Sequence, residues 1–81
     1  MPKIHEQITK ETWTKYFLHR NDRRCLAGWL LSRSIFDMSS VRAAIDVLYP
    51  ERMETDGIIG FNDHPDTTFE DVLRVLKVAD V

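Results

Sequence analysis

Phe69, Val72, Leu73, Leu76 and Ala79 recur at i, i+3, i+4, i+7 and i+10, one apolar stripe of 3.6-residue period. This pattern commits the C-terminal stretch to a helix that must bury one face. Val75 and Val78 widen the stripe, while Glu70, Asp71, Arg74, Lys77 and Asp80 take the wet side. Glu70 and Arg74 stand at i,i+4 with the acid first, the better order for a helical ion pair. Thr67 followed by Glu70 reads as a capping box, in which hydroxyl and carboxylate each satisfy an orphan backbone N–H. Thr68 with Asp71 is a second, weaker frame of the same device. Pro65 disfavours helix at His64.

The segment Phe61–Thr68 before that helix reads as a turn-rich loop and is the first candidate site. Asn62, Asp63, His64 and Asp66 are polar and adjacent. Asx turns at Asn62 and Asp63, with Phe61 plugging the core, account for most of this chemistry. The sharper reading makes His64, with Asp63 or Asp66, an acid–base pair or half of a metal site.

Upstream, Ile4 and Ile8 at i,i+4 mark residues 3–12 as a short first helix, too thin in its apolar face to stand alone. Trp13, Tyr16, Phe17 and Leu18 form an aromatic and apolar cluster, followed by a turn signal at Asn21-Asp22. Two readings compete here: short strands Thr14–His19 and Arg24–Leu26 form a hairpin, or the first helix runs on through Leu18. The β-branched and aromatic content tips the balance toward extended chain.

Cys25–Ile35 is apolar almost all round and predicts a central helix, with Asp22 as one candidate N-cap. Gly28 within it costs about 1 kcal/mol relative to alanine, so its use is to let another backbone approach closely. Ser39 or Ser40 caps a further helix over Val41–Tyr49, with Arg42 and Asp46 paired outside and Pro50 as the stop. Glu51–Gly57 reads as a polar loop closing in an Asp56-Gly57 turn. Ile58, Ile59 and Phe61 then re-enter the core as a short strand or a single helical turn. The fold class is mainly α, a single domain over residues 1–81. It is a small bundle of about four helices, with or without a short two-stranded hairpin near residues 14–26.

With 43% apolar and 30% charged residues among its 81, the chain has the composition of a soluble globule. No apolar run approaches the roughly 18 residues of a membrane span. The N-terminus lacks a signal-peptide core, and the single Cys25 cannot form an internal disulfide; both point to the cytoplasm. Cys25 with His5, His19 and His64 matches no zinc-ligand spacing, and no cofactor or metal is expected.

The net charge of −2 hides an asymmetry: residues 1–42 carry eight Lys/Arg against four Asp/Glu, residues 43–81 three against nine. The two halves either neutralise each other on folding or leave an acidic face that steers toward a basic partner. Direct nucleic-acid binding by Lys15, His19, Arg20, Arg23 and Arg24 is disfavoured, because Asp22 interrupts the cluster and such binders are usually basic.

In order, Trp13-Thr14, Cys25-Leu26-Ala27-Gly28, Phe61-Asn62-Asp63 and Thr67/Thr68 leading to Asp71-Val72-Leu73 resemble a family of small uncharacterised bacterial and phage proteins. The resemblance covers roughly residues 13–79 and implies a pattern of elements: a Trp-Thr element before a turn, a Cys-x-x-Gly helix start, an aromatic-Asn-Asp loop and a Thr-capped last helix. It implies no activity. The turn at Asn21-Asp22 departs from it, lacking a glycine.

Three functions follow from these residues. The first is a non-enzymatic module that binds and inhibits a host protein, itself a nucleic-acid-binding one on the acidic-face reading. It would bind through Trp13, Tyr16, Asp63, Asp66 and Glu70, with at least two of Trp13, Tyr16 and Trp29 simply core; that it is a phage or mobile-element accessory protein is implied by the resemblance alone. The second is a small thiol hydrolase with Cys25 as nucleophile at a helix N-terminus, its pKa lowered, His64 as base and Asn62 or Asp63 orienting it. The third is a self-associating structural protein, a homodimer through Trp13–Leu18.

Overall fold

A computed structural model describes residues 2–52 and 57–81. Its elements are α1 (Ile4–Gln7), β1 (His19–Arg20), β2 (Arg23–Arg24), α2 (Leu26–Ser32), α3 (Ser39–Leu48), a 3-10 turn (Pro50–Arg52), α4 (Gly57–Asp63) and α5 (Phe69–Ala79). The fold class is the one expected: five helices, four of them of seven residues or more, and one small antiparallel hairpin.

α5 follows its periodicity. Val72, Val75 and Leu76 are fully buried, with Phe69, Leu73 and Ala79 packed at the margin of the core. Each of the buried three contributes about 1.5–3 kcal/mol of apolar transfer. Val78 lies outside the stripe and is exposed. α5 packs most extensively on α3 and also meets α1, while α4 lies against both α2 and α3. One cluster of buried side chains draws on every helix, from Ile4 to Leu76.

Both ends of α5 are sealed, the first by side chains and the last by backbone. The capping box uses Thr68 and Asp71, not Thr67 and Glu70: Asp71 N donates to Thr68 Oγ1 at 3.3 Å and Thr68 N to Asp71 Oδ2 at 3.1 Å. Thr67 is unavailable because the tight turn from His64 buries it, and its hydroxyl has no partner among the described residues. Glu70 then faces Lys10, 3.2 Å away, and Arg74 donates to Tyr49 Oη at 2.7 Å, so the expected Glu70–Arg74 pair does not form. At the other end Asp80 takes left-handed backbone (φ 61°), which lets Val81 N reach Leu76 O at 3.1 Å.

Several expectations for the N-terminal half are corrected. α1 stops at Gln7, because Thr12 Oγ1 takes the N–H of Thr9 at 2.9 Å and turns the chain. The hairpin is real but shorter than expected, pairing His19 with Arg24 and Arg20 with Arg23. Asn21 supplies the positive φ (57°) that a glycine would otherwise give the loop. Residues 14–18 are not a strand. Trp13 bridges to Arg24, and Tyr16 then breaks extension with a φ of 72°.

α2 is capped by Cys25, whose Sγ accepts from Gly28 N at 3.3 Å, and not by Asp22. It is buried from Leu26 to Leu30, but Leu31 is exposed. Gly28 serves the close approach expected of it: a Cβ there would lie 2.1 Å from Leu18 O. At α3 neither serine caps; Asp37 Oδ1 instead accepts from Ser39 N and Oγ. Arg42 and Asp46 form no ion pair, the Arg42 guanidinium lying alongside Gly57. Residues 57–63 are a helix of seven residues, longer than the strand or single turn expected, with Ile59 exposed. The expected turn at Asp56-Gly57 falls partly outside the described residues.

Candidate functional site

The end of α4 organises the surface next to it. Asn62 is fully buried, and its position on a helix places its carboxamide against the 12–26 segment. Asn62 Oδ1 accepts from Trp13 Nε1 at 2.7 Å and from Leu26 N at 3.1 Å, while Nδ2 donates to Thr14 O at 3.1 Å. Leu26 N is one of the orphan donors of α2, so a single side chain seats a helix and a loop together. The Asx turns expected at Asn62 and Asp63 are therefore absent. Both residues are helical and reach across the fold.

Asp63 and His64 continue the clamp. Asp63 Oδ1 accepts from Tyr16 N at 2.8 Å and from Asn62 Nδ2 at 3.0 Å, and His64 O accepts from Lys15 Nζ at 2.7 Å. Bound at Tyr16 N, the loop turns through left-handed backbone, a conformation costly for a large aromatic residue. It then displays three successive apolar side chains. Tyr16 is 70%, Phe17 45% and Leu18 52% exposed, with Ile59 of α4 beside them at 48%. Together with Cys25 and Asp63 they line a hollow of about 150 Å3. Arg20 stands over the Phe17 ring, 4.8 Å from its centroid, and puts a cation at the rim.

Residues 13–15 line a larger cleft of about 460 Å3, where Trp13 and Phe69 meet with ring centroids 6.3 Å apart, among Lys10, Lys15, Arg23 and Glu70.

A family model described as a family of unknown function matches residues 3–80. The chain belongs to DUF6197. No curated protein and no solved structure matches it. Membership in DUF6197 carries no assigned chemistry.

Of the residues expected at a site in this DUF6197 chain, Trp13 is half-buried with its N–H consumed by Asn62, and Trp29 is core; Tyr16 alone of the three aromatics stands free. Asp63 is half-buried and occupied, and Glu70 is paired with Lys10, so neither is an idle charge on an acidic face. Asp66 is exposed, its N–H donating to His64 Nδ1 at 3.1 Å.

No hydrogen bond joins Cys25 to His64: Cys25 Sγ accepts from Gly28 N and His64 Nδ1 from Asp66 N. Burial pushes the Cys25 thiol pKa up, the nearby Asp63 carboxylate adds to this, and the backbone N–H groups of Gly28 and Ala27 only partly oppose it. The lowered pKa expected at this helix start is thus corrected: desolvation outweighs the helix terminus. His64 is not among the residues lining the hollow over Cys25. Among the described residues no group of three His, Cys, Asp or Glu is placed to hold a metal ion, and no helix is long and apolar enough to cross a membrane.

Ile59 was missed as a surface residue because apolar side chains are first assigned to a core. Phe17 and Leu18, expected only in the Trp13–Leu18 self-association cluster, are exposed beside Tyr16. A signal existed: three consecutive apolar residues next to a turn cannot all face inward on an extended chain, whose side chains alternate.

Proposed function

We propose that this chain is a small interaction module, without catalytic chemistry of its own, that docks on a protein and modulates it by occupying its surface. The docking face is the Tyr16–Phe17–Leu18 ridge with Ile59, over the hollow floored by Cys25. The observation that carries this reading is the strained backbone of Tyr16, held by Asp63 so that an aromatic ring stands in water. Stability is not served by that arrangement, and strained displays of this kind cluster where a protein meets a ligand.

The occupant is an amphipathic segment of a host protein, its apolar side chains seated in the hollow and a carboxylate meeting Arg20 at the rim. Charge complementarity favours an acidic segment here, because the Arg20 guanidinium stands over the exposed Phe17 ring without a carboxylate partner among the described residues. In the bacterial or phage setting suggested by the motif order, such a module acts as an inhibitory accessory protein in the cytoplasm.

Capture on the wild-type chain, run beside Tyr16→Gly and Leu18→Ser, tests this, provided any recovered protein is purified and titrated back. The expected partner loses about tenfold or more in affinity for either variant, roughly 1.4 kcal/mol. A purified partner that binds both variants as well as wild type would remove this face from the proposal. A dimer seen by light scattering and abolished by both substitutions would hand the face to a second copy of the chain.

A further inference from the structure

The cleft lined by residues 13–15, Lys10, Arg23, Phe69 and Glu70 shares no residue with the hollow of the docking face. Trp13 and Phe69 form its aromatic walls, and the indole N–H of Trp13 is locked onto Asn62, so the ring is held rigid and offers only its face and edge. Around it stand Lys10, Lys15 and Arg23 against the single carboxylate of Glu70, a formal charge of +2 from three cations and one anion. Lys15 spends one ammonium donor on His64 O and Lys10 one on Glu70, leaving two donors on each; Arg23 has no side-chain partner among the described residues.

The neighbouring hairpin adds an electrostatic cost. Its register sets Arg20 opposite Arg23, and like charges directly opposed on a two-stranded ribbon are destabilising. Arg20 and Arg24 lie over aromatic rings rather than carboxylates. An anionic chain laid from the cleft across the hairpin would relieve this repulsion.

We propose that the cleft is a binding site for a nucleoside phosphate unit, the base against Trp13 and Phe69 and the phosphate on Lys10, Lys15 and Arg23, within a single-stranded nucleic acid whose backbone continues over the hairpin. A rigid aromatic wall beside a track of cations is the arrangement that single strands require. The volume lies within the range of roughly 300–1,000 Å3 typical of small-ligand sites. Along the sequence, overall acidity and Asp22 weigh against such contact. In space Asp22 belongs to the exposed hairpin loop, while the cations gather at the cleft.

Fluorescence anisotropy of a labelled single strand of about 12 nucleotides, at about 50 mM salt, reads this directly. Saturable binding is expected, with tryptophan quenching as Trp13 stacks. The log–log salt slope should be about −1.5 to −2 for two or three contacts. Lys10→Ala with Arg23→Ala should weaken binding tenfold or more at unchanged helicity, whereas Tyr16→Gly should leave it intact and so separates this site from the docking face. Adenosine monophosphate separates the two sources of the unit: competition only at much higher concentration assigns the site to a strand, and competition as tight as the oligomer's assigns it to free nucleotide. Absence of binding at about 100 μM protein overturns the proposal, since even non-specific contacts reach that range. Equal binding by the double variant, or by a matched duplex, overturns it as well.

Discussion

Asn62 accepts the indole N–H of Trp13 at 2.7 Å from a fully buried position, across 49 residues of chain. The same oxygen holds Leu26 N and the same amide holds Thr14 O. Truncation strands two donors and one acceptor in a region water cannot readily reach. Asn62→Ala is expected to destabilise the fold by about 2–4 kcal/mol, read as the shift in urea midpoint. A loss under about 1 kcal/mol would show that the clamp is dispensable.

Gly28→Ala sets two effects of opposite sign against each other. Helix propensity alone would gain about 1 kcal/mol. The added methyl, however, would sit 2.1 Å from Leu18 O, a backbone atom that cannot step aside without moving the displayed loop. Net destabilisation of about 2–3 kcal/mol is expected. A stabilised variant would mean that the contact between α2 and the loop is looser than the structure has it.

Asp71 links acid sensitivity to the α5 cap. Burial alone would raise its pKa, but the Arg52 side chain, the Thr68 backbone and the Tyr49 hydroxyl together outweigh that and hold it below the ordinary carboxylate value. A group whose folded pKa is depressed contributes stability above its unfolded pKa and loses it as pH falls through the folded one. Asp71→Ala should therefore cost about 2–3 kcal/mol at neutral pH, and the gap from wild type should narrow as pH falls below the ordinary carboxylate range and through the depressed folded value. Denaturant midpoints at neutral and acid pH decide it. Asp37, Glu70 and Asp80 also titrate low, so only the difference between the two proteins is diagnostic.

What could be read from the sequence was what is local. The α5 stripe, the stop at Pro50, the need for a close approach at Gly28 and the turn at Asn21 follow from spacings of a few residues. The choice between Thr67 and Thr68 as cap did not, because both frames carry a hydroxyl and an acid three residues on; burial of Thr67 decides it, and burial is tertiary. Asn62 and Asp63 were legible as polar residues near a helix, but their partners lie 36 to 49 residues away. Nothing in the residue type announces a left-handed tyrosine. The candidate surface was thus legible at Tyr16 and in the Trp13–Leu18 cluster but missed at Ile59, while the cleft gathers Lys10, Arg23 and Phe69 from three separate segments.

The Cys25 thiol is buried and its pKa raised, so it should react slowly. Iodoacetamide labelling of the native chain is expected to run about 100-fold slower than in denaturant, because the thiolate is scarce and access needs local opening. Rapid native labelling would restore the thiol-hydrolase reading and place reactive chemistry at the floor of the hollow.

Tyr16→Gly separates display from stability. The native φ of 72° costs a non-glycine residue about 1–2 kcal/mol, which glycine does not incur. Glycine in turn gives up about 0.5–1 kcal/mol to its freer unfolded chain. The ring being mostly exposed, little packing is lost with it. The backbone N–H that Asp63 accepts survives the substitution. The expected balance is a fold unchanged or stabilised by up to about 1 kcal/mol, together with loss of partner binding, the pattern of a residue kept for contact at some cost to the fold. Thermal melts beside the binding titration read both quantities. Destabilisation of about 2 kcal/mol or more would make Tyr16 a packing residue, and the ridge would then lose its claim to be a docking face.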